Sequence, residues 1–214
     1  MILLIKDIGF EDDDPTNFYL FYTLLTPLLL HLMSLSHTKI SKFLSYILRH
    51  HPEDIGLDVD ARGWAHLPSL ISKAQNNGRS ISKKQIMEVM EKSDKQRFTL
   101  SDDGEYIRAG YGHSIDVELG LEPKSPPVQL FHGTAQQNVV SILETGLQPQ
   151  DRTHVHLSDN IADAQAVGSR HGQPQILGVQ AQKMYAAGFP FYQSDSEPAI
   201  WLVQKVPPKY ITES

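Results

Sequence analysis

Three arginines stand where an anion site could be built: Arg49, followed by His50 and His51; Arg97, at the head of RFTLS; and Arg170, followed by His171 and Gly172. A guanidinium is permanently charged and offers a planar fork of donors that matches two phosphate oxygens at once. Several on one phosphate would bind the ground state and spread the charge of a phosphoryl-transfer transition state. A neighbouring histidine, with a pKa near neutrality, can move a proton to or from a hydroxyl. Each residue also has an ordinary explanation. Basic groups at a helix end complement its C-terminal dipole, Arg97 fits an exposed strand end, and Arg170 fits a plain loop.

A second constellation is His132-Gly133-Thr134, after the apolar stretch VQLF. Glycine at a strand end lets a ligand approach the backbone, with polar neighbours supplying hydrogen bonds; a simple turn is the bland alternative. In His154-Val155-His156-Leu157-Ser158 the alternation places both histidines on one face of a strand. Paired histidines raise zinc, but without an HExxH spacing a cofactor or structural role is favoured and no metal is expected. There is no GxGxxG after a strand and no Walker A sequence, so neither a Rossmann site nor a P-loop is indicated.

The elements that must carry these residues fall into two groups. Ile40, Phe43, Leu44, Ile47 and Leu48 follow helical spacing and predict a helix closed by Pro52. Trp64-Ala65-His66 reads as a short strand, Leu67 to Gln75 as a second helix, and Ser82 with Gln85 as a capping box opening a third. RFTLS and EYIRA, around Asp103-Gly104, read as a hairpin, so residues 36–119 suggest a winged helix. GLEPKSPP (120–127) is a linker. Beyond it, residues 128–214 hold strand-like pieces (VQLFHGT, HVHLS, PQILGVQ and AIWLVQKV) with helices expected at about Gln136–Glu144 and Asn160–Val167. The expected class is α+β in two lobes.

Among 214 residues there is no cysteine, which excludes disulfides, thiolate zinc and a cysteine nucleophile and fits a reducing, cytoplasmic setting. The net charge of -6 is uneven: residues 1–35 hold one basic and five acidic residues, leaving 18 basic against 20 acidic. Such a body does not favour strong non-specific binding to long duplexes, yet it permits a local phosphate site. The apolar run Phe18 to Leu32 follows EDDDPT, contains Pro27 and His31, and is short for a membrane span. Residues 1–35 are read as an extension, with Met33 favoured as the natural start.

The strings KISKFLSYILRHHPE, GW, DKQRFTLSDDGEYIRAGYGHSI, LFHGT, HVHLS, VGSRHGQPQIL and WLVQKVPPKYI, in order over residues 36–211, resemble the Tpt1/KptA family of RNA 2'-phosphotransferases. The resemblance implies an N-terminal winged-helix lobe and a C-terminal lobe of the ADP-ribosyltransferase type. It implies NAD+ as co-substrate and RNA with an internal 2'-phosphate, such as tRNA in splicing, as partner. No membrane and no obligate protein partner are called for. The family's Arg-His-Arg-Arg tetrad falls on Arg49, His50, Arg97 and Arg170, with the phosphate between the lobes. His132, Gly133 and Thr134 match the element that holds NAD+, and His156, Leu157 and Ser158 the second histidine strand. An apolar residue near Ile200 or Trp201 stands where protein-modifying relatives carry a catalytic glutamate. SDSEPAIWLV departs from the family by a longer loop.

The implied reaction has two steps. The RNA 2'-phosphate displaces nicotinamide from the NAD+ ribose; then the ribose 2''-hydroxyl attacks phosphorus, releasing 2'-OH RNA and ADP-ribose 1'',2''-cyclic phosphate. An ionised phosphate needs no general base in the first step. Two rivals remain: an ADP-ribosyltransferase acting on nucleic-acid ends or protein, and a non-catalytic winged-helix nucleic-acid-binding protein.

Overall fold

Helix α1 covers residues 37–49 and buries Ile40, Phe43, Leu44, Ile47 and Leu48, the face its spacing predicts. The computed structural model describes residues 37–213, so the expectations for residues 1–35, Met33 included, lie outside the described residues. Pro52 opens a 3-10 turn (Pro52–Ile55) just beyond α1. Strand β1 (Ala65–His66) leads directly into α2 (Leu67–Asn76), with Pro68 in its first turn, where a missing amide hydrogen costs nothing. The Ser82 side chain caps α3 (Lys83–Lys92) in the capping box read from the sequence, Gln85 returning the bond. Strands β2 (Phe98–Leu100) and β3 (Tyr106–Ala109) form the expected hairpin, and β1 adds to β3, giving the order β1-β3-β2. Leu67, Leu70, Ile86, Val89, Phe98 and Ile107 join the α1 face in one core.

The rest of the chain builds a second core on a six-stranded antiparallel sheet, ordered β7-β8-β5-β4-β6-β9. Its elements are β4 (Leu130–Ala135), α4 (Val139–Thr145), β5 (Val155–Ser158), α5 (Ile161–Gly168), β6 (Pro174–Val179), α6 (Ala181–Ala186), β7 (Tyr192–Gln193), β8 (Ile200–Val203) and β9 (Ile211–Glu213). The helix expected from Gln136 begins as a 3-10 turn, Gln136–Asn138, before α4. Strands β7 and β9 and helix α6 add to the elements the pattern predicts. Residues 120–127, expected as a linker, contain no helix or strand.

The two cores are tied along a seam. After β3 the chain turns back across the end of α1, where the amides of Ser114 and Ile115 donate to the Arg49 carbonyl. On its other side this segment meets the second sheet: Thr153 N–H donates to the His113 carbonyl at 3.0 Å, and Ser194 Oγ donates to the Gly110 carbonyl. A Cβ on Gly110 would fall 1.9 Å from Ser196 Oγ and 2.6 Å from its Cβ, so any side chain there would push the Ser196 loop away. Lys95 pairs with Asp163 at 2.6 Å, the Gln96 amide donates to Glu197, and Arg108, stacked over Trp64, bonds Asp195.

Candidate active site

Arg49 is the last residue of α1, so its carbonyl needs a partner outside the helix. The segment that supplies one also carries Tyr111, whose ring lies 4.6 Å beneath the Arg49 guanidinium. Burial lowers the Arg49 pKa; Tyr111 opposes that shift, and the like charges of Arg97 and Arg152 add to it. Its Nε and Nη2 are buried without a hydrogen-bond partner. A buried donor without an acceptor is costly unless something else supplies one. This half-buried cation is set to receive an anion.

His50 lies beside it, with Nδ1 2.9 Å from Ser114 Oγ. Burial first, then the charges of Arg49 and Arg152, lowers its pKa, keeping the ring neutral near pH 7 and able to accept a proton. Arg97, just ahead of β2, donates from Nη1 to the Lys95 carbonyl at 3.2 Å. Arg49, His50 and Arg97 therefore form one group on the first half of the chain. Arg170 sits exposed in the turn after α5 and connects to the group through Arg152, whose pKa it lowers.

The six predicted dinucleotide residues separate by role. Between β4 and β5 the ladder holds a single pair, Phe131 with Ser158. Beside it the His132 ring reaches across, Nδ1–H donating to the His156 carbonyl at 3.1 Å. That tautomer leaves Nε2 as an acceptor, and burial keeps the ring neutral. Thr134 is buried with its hydroxyl bonded by Asn138. Gly133 approaches protein: a Cβ there would lie 1.6 Å from the Ala164 carbonyl oxygen, so the glycine seats α5 on β4. Leu157 faces the second core with Trp201. His156 and Ser158 face the other way, and His156 Nε2 and Ser158 Oγ are both buried without partners.

Register also separates the two candidates for the apolar position. Ile200 stands opposite Ser158 and Leu202 opposite His156, whereas Trp201 pairs with Leu157 and belongs to the core. Ile200 thus shares the site face.

Three contributors were not singled out from the sequence: Tyr111, His113 and Arg152. Tyr111 lies between Arg49 and His156, its ring centroid 6.1 Å from that of His156. His113 is 1% exposed, with its pKa lowered to about 3 by burial and then by Arg49. Arg152 places Nη1 3.4 Å from His156 Nδ1. GYGHSI and HVHLS hinted at them, but no spacing rule links Tyr111 to a helix end some sixty residues earlier. His51, Glu53 and Asp54, a group with metal-ligand spacing among the described residues, are exposed and already paired with one another or with Tyr46.

The protein is mixed helix and sheet, and its seam gathers arginines and histidines with no carboxylate ion-paired to Arg49, Arg97, Arg152 or Arg170 among the described residues, which leaves their charge available to an anion. Residues 36–204 match the family described as RNA 2'-phosphotransferase, Tpt1 / KptA family. The chain belongs to this family of transferases. It is 50% identical over 174 residues to a probable RNA 2'-phosphotransferase of Acaryochloris marina, covering 81% of this chain and 95% of that one. It is 49% identical over 177 residues (83% and 94%) to that of Agrobacterium fabrum, and 51% over 172 residues (80% and 93%) to that of Pseudomonas fluorescens. No helix among the described residues is long and apolar enough to cross a membrane.

Proposed function

We propose that the chain is an NAD-dependent RNA 2'-phosphotransferase, which removes an internal RNA 2'-phosphate, tRNA included, in the cytoplasm. The products are 2'-OH RNA, nicotinamide and ADP-ribose 1'',2''-cyclic phosphate. In this reading the first half of the chain is a winged-helix lobe and the second an ADP-ribosyltransferase lobe. One observation carries the proposal: cationic groups from both halves line a seam next to buried polar atoms that lack partners.

The residues present fit NAD+. His132 Nε2 as an acceptor, with His156 Nε2 and Ser158 Oγ unsatisfied, offers hydrogen bonds for ribose hydroxyls and an amide in the gap between β4 and β5. Bound there, NAD+ supplies an anomeric carbon with a cationic leaving group. Ile200, opposite Ser158, is the apolar residue we take to stand where the resemblance puts a carboxylate in protein-modifying relatives. The nucleophile here is an already ionised phosphate, so no such base is needed.

Arg49, Arg97 and Arg170 would bind the phosphate oxygens and hold charge that shifts as the RNA 2'-oxygen leaves. Nε and Nη2 of Arg49 form the bidentate edge. His50, neutral and fixed through Nδ1 by Ser114, would move the proton at Nε2.

The test combines NAD+ with an RNA oligonucleotide carrying one internal 2'-phosphate. Loss of the phosphate together with a cyclic ADP-ribose phosphate is expected. Persistent ADP-ribosyl RNA, or no NAD+ consumption by the folded protein, would overturn the reading.

A further inference from the structure

The seam holds one more guanidinium than the tetrad accounts for. Other cations joining the two halves are neutralised, Lys95 by Asp163 and Arg108 by Asp195. Arg152 has no such partner among the described residues. Its bond is to a neutral ring, Nη1 at 3.4 Å from His156 Nδ1, which makes Nδ1 the acceptor and leaves hydrogen on Nε2. Beyond His156 stands Tyr111, at 6.1 Å between centroids, and against Tyr111 lies the Arg49 guanidinium at 4.6 Å. Arg152 and Arg49 thus each contact one ring of an adjacent aromatic pair, His156 and Tyr111, contributed by opposite halves of the molecule.

We propose that Arg152 grips the RNA 2'-phosphate together with Arg49 and Arg170, an assignment that rests on the functional reading above. A phosphate monoester presents three non-bridging oxygens, more than one arginine fork can satisfy. Arg49 and Arg97 approach from the first half of the chain. Arg152 is the cation of the second half that stands near both Arg49 and Arg170, and it joins the two sides electrostatically. A structural arginine at the entrance to β5 would bond backbone carbonyls or an acid. This one bonds neither among the described residues; its side-chain bond is to the His156 ring.

The full chain is titrated, without NAD+, with two short oligoribonucleotides alike except for one internal 2'-phosphate. The native protein should bind the phosphorylated strand more tightly. Arg152→Ala should lose about tenfold of that preference, on the order of one charge-assisted hydrogen bond, with affinity for the 2'-OH strand unchanged. Arg152→Lys should keep part of it, because charge remains and the fork is lost. NAD+ affinity, by calorimetry, should not move. Full preference in Arg152→Ala, or intact preference with weakened NAD+ binding, would overturn the assignment; the second result would place Arg152 on the dinucleotide. If the alanine variant does not fold, Arg152→Gln reads the same quantity. No preference in the native chain would sink the functional reading itself and Arg152 with it.

Discussion

Arg49 is held by an aromatic ring instead of an acid, which orients its charge without cancelling it. Arg49→Ala should reduce phosphate removal roughly 10²–10³-fold under single-turnover conditions, with little change in thermal midpoint. Arg49→Lys should recover little, since an ammonium cannot form the fork. His113 makes a different prediction. Its folded pKa is near 3, whereas an unfolded imidazole titrates at about 6.5. The unfolded chain therefore binds the extra proton between those values. The stability contributed by neutral His113 is complete above about pH 6.5 and falls as pH drops toward 3. His132 and His156 are shifted the same way by burial. Urea midpoints should fall from about pH 7 to about pH 5, and His113→Gln should flatten the slope without abolishing it. Arg49, His50, Arg97 and Arg170, spread over some 120 residues, could be grouped from sequence only through the resemblance of the short strings around them to a family. Tyr111 and His113 could not be seen as neighbours of Arg49 because that contact depends on where a loop crosses a helix end, nor Arg152 as a neighbour of His156 because that depends on the turn into β5.

At the scale of elements, α1 and the Ser82 capping box were readable because each is a local pattern of a few residues. Strands β7 and β9, two and three residues long, are too short for alternation to show. Gly133 illustrates the same divide. Its place in HGT suggested close approach to a ligand, and the fold shows that the nearest claim on its missing side chain is the backbone of α5. Gly133→Ala should cost roughly 1–3 kcal/mol or more by forcing α5 off the sheet. Chemical denaturation would measure it, and because Arg170 follows α5, activity should fall even where the variant folds. A variant as stable as the native chain would contradict this packing account.

For the molecule as a whole, the loop of residues 194–197 spans the seam. It bonds Gly110 through Ser194, Arg108 through Asp195 and the Gln96 amide through Glu197. Arg108 is 8% exposed, so Asp195→Ala would strand a buried charge. The cost should be roughly 2 kcal/mol, less than for a fully buried pair because Asp195 is partly open to water. Hydrogen exchange should rise on both sides of the seam together, in β3 and in residues 194–197. Exchange confined to the loop would show that it does not couple the halves.

The arginines gathered at the seam, to which no carboxylate is ion-paired among the described residues, have a consequence for how the protein lives between substrates. Guanidinium groups drawn together without a carboxylate repel one another, so the native state is under electrostatic tension that small anions can relieve. Ambient orthophosphate should act as a surrogate counter-ion, raising the melting temperature above that in chloride of equal ionic strength, in proportion to its occupancy. The same ion should compete with RNA, so a cell rich in free phosphate would keep this protein sturdier and slower.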